Sequence, residues 1–177
     1  LALTIFDKMK RIHGMEKRER LLLQIAVLIH ACGKFISMKN SNECGYTLIM
    51  STEIIGLSHL EREIIANVVR YNIRDFDYDM MQLETEAGQD LAVVSDRTAI
   101  TILIAKLTAI LRLANSMDKT HKSKLIDCRM AVREGQLVIT TGYKGDLALE
   151  SASFEQKAAF FEEIFGIRPV LKQKRRV

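Results

Sequence analysis

VLIHACGKFIS, residues 27–37, joins an apolar run to His30, and a Gly-Lys pair follows almost at once. Just upstream, LLLQIAVLIHA is apolar nearly all round, which predicts a central, buried helix over roughly Lys17 to Cys32. Gly33 can close it, because glycine takes the left-handed conformation common at helix C-termini. His30 therefore falls at the end of a core helix. Its neighbour Ala31 carries no donor atom.

The helical pattern extends outward from this stretch, from residue 1 to about 118. LALTIFDKMK opens the chain as an amphipathic pattern with neither a starting Met nor an N-cap, so it reads as a helix entered partway, in a fragment of a longer protein. That first helix ends at His13-Gly14. SMKNSNECG reads as a polar loop, and a third helix is expected from about Gly45 to Ile55, stopped by Gly56. Ser58-His59-Leu60-Glu61 is a capping box in which the two side chains satisfy free N–H groups at the start of a fourth helix, which reaches about Tyr71. NIRDFDYDMMQLETEAGQD, residues 72–90, is loop-like. A fifth helix begins near Ser95-Asp96 and places Ile100, Leu103, Ile104, Leu107, Leu111 and Ala114 on one face.

Beyond residue 122 the period changes from helical to alternating. DCRMAVRE and QLVITTGY read as strands joined by a Glu134-Gly135 turn. Ser153-Phe154-Glu155-Gln156 looks like a second capping box, starting a helix that ends at Phe165-Gly166. IRPVLKQ supplies a third strand. The expected class is α+β, a mainly helical domain over 1–122 followed by a small ββαβ domain over 123–177.

The 177 residues are 48% hydrophobic and 27% charged, ordinary for a globular chain. The formal net charge is +4, a bias compatible with an anionic partner or with a solvated basic surface. Cys32, Cys44 and Cys128 form no CxxC pair, which points to neither a disulfide framework nor a zinc site and fits a reducing cytoplasm. No signal peptide is visible, and no apolar run reads as long enough to cross a bilayer. Aromatic interleaving suited to single-stranded nucleic acid is missing.

The blocks VLIHACGKFIS, IGLSHLEREIIANVVRYN and LTAILRLANSMDKTH, with the lead-in IHGMEKRERLLLQIA, resemble the C-terminal region of the exopolyphosphatase / guanosine pentaphosphate phosphatase (Ppx/GppA) family. The likeness covers essentially the whole chain, the ββαβ tail included. It implies an HD-like helical domain. HD-type phosphohydrolases hold a divalent metal with a His, a His-Asp pair and a later Asp, because imidazole nitrogens and carboxylate oxygens suit a cation that activates water. Here His30 and Asp118 stand at two of those positions, Ala31 replaces the Asp of the pair, and the set is degenerate; His30 also fits an ordinary helix-end hydrogen bond. Asn40, Asn42, Cys44 and Asn72 stand where many members carry histidines.

The family's catalytic machinery lies in actin-like domains with phosphate loops, and no such loop occurs in these residues. The resemblance therefore implies a polyphosphate-binding and dimerisation region with no catalytic residue of its own. The parent would be a hydrolase acting on polyphosphate or guanosine pentaphosphate (pppGpp) with Mg2+, and a homodimer. Lys34, Lys39, Arg70, Arg112, Lys119 and Lys122 are the candidate polyphosphate contacts, each of which also reads as a surface charge or structural ion pair. An autonomous metal-dependent HD phosphohydrolase and a pure dimerisation module are the alternatives.

Overall fold

The computed structural model describes residues 1–78 and 91–174, with side chains in the second stretch described from residue 96 onward. The described residues form seven α-helices, a 3-10 turn and three strands: α1 (Ala2–Lys8), α2 (Lys10–His13), α3 (Lys17–Ile29), the turn Cys32–Phe35, α4 (Ser41–Met50), α5 (His59–Tyr71), α6 (Leu91–Ser116), β1 (Arg129–Arg133), β2 (Gln136–Thr141), α7 (Ala148–Phe165) and β3 (Arg168–Gln173). The protein is α+β, mainly helical, with a small mixed sheet. Two compact units result: Leu1–Arg20 with Ala109–Val177, and Leu21–Thr108. Their divisions fall inside α3 and α6. The change of pattern near residue 122 marks a change of secondary-structure type, and the compact units divide elsewhere.

In the first unit, β1 and β2 pair antiparallel from Arg129↔Thr140 to Arg133↔Gln136, leaving Glu134-Gly135 as a two-residue loop. Both loop residues have positive φ, 49° and 72°, as the mirror-image turn that matches strand twist requires. β3 lies parallel to β2, from Gln136↔Arg168 to Thr141↔Gln173. Parallel neighbours need a crossover, and α7 supplies it. Leu137, Ile139 and Thr141 of β2 point inward in strict alternation. Ile5, Phe6 and Met9 from the N-terminal helices and Phe154, Ala158 and Phe161 from α7 are buried with them. His13 anchors the helix break: Nε2–H donates to Phe6 O at 2.8 Å, and Nδ1 accepts from Met15 N–H at 2.8 Å.

In the second unit the core is built from Leu22, Leu23 and Ala26 of α3, Ile64, Ile65, Val68 and Val69 of α5, and Ile104 and Leu107 of α6. The Ser58 capping box forms as expected, with Glu61 N–H to Ser58 Oγ at 3.2 Å and Ser58 N–H to Glu61 Oε2 at 2.9 Å.

Several boundaries differ from the sequence expectations. α3 stops at Ile29, so His30 and Ala31 form a turn before the 3-10 segment. α4 starts at Ser41, inside the stretch read as loop, and ends at Met50, short of the expected Ile55. α7 starts at Ala148; Asp146 Oδ1 accepts from its N–H at 2.8 Å, and Ser153 lies within the helix. Helix formers in LALE carry α7 upstream, and buried Leu147 and Glu150 secure that first turn. The stretch Asp96–Ser116 of α6 is long and apolar enough to cross a membrane by length and composition, correcting the expectation that no run is; 56% of its apolar window is buried inside the protein, as in a core helix. The loop expected over 72–90 lies outside the described residues from 79 onward.

Candidate functional site

The site is built on a backbone-to-backbone approach. A Cβ placed on Gly33 would fall 1.9 Å from Ser41 O and 2.5 Å from Gly45 N. No side chain fits there, so the 3-10 turn lies directly against the start of α4. A Cβ on Gly45 would in turn meet Val69 Cγ1 of α5 at 3.1 Å, with Cys32 Sγ and Gly33 N of the turn both at 3.7 Å. Glycine at both positions thus locks turn, α4 and α5 into one layer. His30 Nδ1–H donates to Val27 O at 2.7 Å, which fixes its tautomer and turns Nε2 away from the helix end. Burial pushes the Cys32 thiol up, outweighing backbone hydrogen bonds that lower it.

Against this layer stands an arginine pair. Arg70 is in the last turn of α5 and Arg74 follows four residues later. Arg70 Nε–H donates to Glu43 Oε1 at 3.0 Å, and its Nη2 lies 2.9 Å from Glu43 Oε2, a side-on fork. Arg74 Nη1 reaches the same Oε1 at 3.1 Å. The Arg70 guanidinium lies 5.0 Å from the centroid of the Tyr46 ring, one turn further along α4. The three charged side chains are partly open to solvent, at 26% for Arg70 and 42% each for Glu43 and Arg74. Lys34 and Lys39, in the same unit, are exposed, as are Leu28, Phe35, Ile36 and Met38. Glu43, Arg74 and the stacking role of Tyr46 did not emerge from the sequence. The signals that carry them are the third-position acid of α4 and the Arg70/Arg74 spacing of four.

The remaining candidates lie in the other compact unit. Arg112 is buried, 6% exposed, with its guanidinium 4.6 Å from the Phe160 centroid. Lys119 and Lys122 are exposed. Asp118 Oδ1 accepts from Ser123 N–H at 2.8 Å, and Asp118 O accepts from His121 N–H at 3.0 Å. That carboxylate ties down a turn in which His121 and Ser123 both have positive φ. Close by in sequence, Lys124 Nζ donates to Glu150 Oε2 at 3.0 Å and to Asp146 O at 2.9 Å, and Thr120 donates to Glu150 Oε1. Burial raises the Glu150 carboxyl, but the Thr120 and Lys124 hydrogen bonds and the Lys124 charge outweigh it and hold it below its usual range.

The donor set does not fit a metal centre of the HD kind. Ala31 offers no ligand atom, and Asp118 has an oxygen committed to the Ser123 backbone. No group of three or more His, Cys, Asp or Glu side chains suited to an ion occurs among the described residues. No hydrolytic step is therefore assigned to His30 or Asp118.

The fold and the site define an α+β chain whose helical layer carries two arginines paired on Glu43. The particular family follows from comparison: the family model for Ppx/GppA phosphatase, domain III, matches residues 1–158. The chain belongs to the Ppx/GppA phosphatase family. A search of curated proteins finds no match.

Proposed function

We propose that this chain is the polyphosphate-binding and dimerisation region of a cytoplasmic exopolyphosphatase / guanosine pentaphosphate phosphatase-type hydrolase. In this reading, cleavage of the phosphoanhydride bond belongs to actin-like domains outside these residues, where Mg2+ serves the parent enzyme. The observation that carries the reading is the Arg70–Arg74 pair, set by Tyr46 and Glu43, in a unit that also exposes Lys34 and Lys39. Guanidinium forks match phosphate oxygens, and exposed lysines add point charges along a flexible polyanion.

Calorimetric titration with long-chain polyphosphate at two salt concentrations tests it. Binding should weaken steeply with salt through counterion release, and Arg70→Ala should lower the log–log salt slope by about one unit. An absence of binding at low salt would refute the polyphosphate role. A second reading, assembly alone, draws on Leu28, Phe35, Ile36 and Met38, which leave apolar surface in water around one turn. Sedimentation equilibrium separates the two: a dimer that binds no polyphosphate supports assembly alone.

A further inference from the structure

Glu43 stands where a ligand would stand. Its two oxygens are gripped by three guanidinium nitrogens from two arginines, at 2.9–3.1 Å. A phosphate unit inside a polyphosphate chain also presents two non-bridging oxygens and about one negative charge. It therefore fits the same fork. The centre of the Arg70 guanidinium lies over the Tyr46 ring, 5.0 Å from its centroid, a contact that helps to hold the side chain in place once the carboxylate leaves. Glu43 itself sits in the first turn of α4 and is 42% exposed, so its side chain has water to move into.

We propose that Glu43 is a built-in competitor for the phosphate site formed by Arg70 and Arg74, vacating the arginine fork when a phosphoanhydride chain binds. The inference rests on the polyphosphate-binding reading above and adds to it a second arginine and a device that sets the threshold for binding. A surface ion pair of this exposure is held weakly, so exchange for a multiply charged chain needs no unfolding of the layer. The carboxylate also holds both arginines on one pair of oxygens in the absence of ligand, which prepares the fork for the incoming oxygens.

The test is titration of the whole chain with inorganic tripolyphosphate, in wild type, Glu43→Gln, Arg74→Gln and the double variant. Glu43→Gln removes the competing charge but keeps an amide oxygen for the arginines. It should bind about three- to ten-fold tighter than wild type at low salt. Arg74→Gln should bind more weakly, and in the double variant most of the gain from Glu43→Gln should vanish. Arginine side-chain Nε–H resonances give an independent reading: tripolyphosphate should shift those of Arg70 and Arg74 in the wild-type protein. Unchanged or weaker binding in a folded Glu43→Gln protein, with wild type still binding, would overturn the competitor role alone. Arginine resonances that ignore a ligand that does bind would do the same. If neither wild type nor Glu43→Gln binds tripolyphosphate or long-chain polyphosphate, both this inference and the polyphosphate reading fall.

Discussion

Replacing Lys124 with Met should destabilise the protein by about 3–5 kcal/mol at pH 7, because it strands a buried carboxylate. The structure sets that magnitude. Glu150 is fully buried at the side chain and Lys124 is only 13% exposed, so their 3.0 Å pair is not the screened surface kind worth about 0–1 kcal/mol. Methionine keeps the length of the stem but removes the bonds to Glu150 Oε2 and Asp146 O. Thr120 and a backbone N–H would then be left to face the charge.

The pH dependence gives a sharper test. In the wild type the Glu150 carboxyl lies below its ordinary value of 4.5, so its contribution is present above about pH 4.5 and is lost as pH falls through the lower native value. Without Lys124 the burial that raises this carboxyl wins. The variant then takes up a proton on folding and recovers stability as pH falls toward 4.5. The gap between the two proteins should therefore narrow from pH 7 to pH 4, as read by urea unfolding followed by circular dichroism. A gap below about 1 kcal/mol at pH 7 would refute the reasoning, since that is a surface-pair value. So would a gap that does not change with pH.

Other perturbations test the scaffold. Gly33→Ala forces a methyl into the Ser41 and Gly45 backbone and should cost about 3 kcal/mol or more, with faster amide exchange at the start of α4. Glu134→Asn relieves a left-handed conformation in the β1–β2 turn and should stabilise the protein by about 0.5–1 kcal/mol, read as a higher unfolding midpoint. Thr108 is fully buried with its hydroxyl unpartnered among the described residues, so Thr108→Val should be neutral or stabilising by about 1 kcal/mol in thermal melts. Ser58→Ala removes the cap of α5 and should cost about 1 kcal/mol by the same measurement.

What the sequence disclosed depended on how local each cause is. The Ser58–Glu61 box and the Glu134-Gly135 turn act within four residues, and both are legible. Periodicity likewise places Ile104, Leu107 and Leu111 in the core. The start of α4 was not legible, because Gly45 is explained by Val69, a residue from a different helix. The beginning of α7 depends on Asp146 and on a Glu150 whose burial is tolerable only with Lys124 and Thr120 beside it. At the candidate site, Arg70 stood out as a cation at a helix end. Its relation to Glu43 spans 27 residues, a separation that no local pattern bridges. Burial was the part of Arg112 that its charge did not announce: the side chain is buried, with its guanidinium over Phe160.

The discontinuity of the first compact unit bears on how the chain is made. α1 packs against β1, and β1 begins only at Arg129. During synthesis at about 5–20 residues per second, Ile5, Phe6 and Met9 leave the ribosome roughly 6–24 s before the strand that covers them. The other unit is continuous from Leu21 to Thr108 and can close in that interval. The arginine-bearing layer can therefore close on itself before α1 meets the strand it packs against.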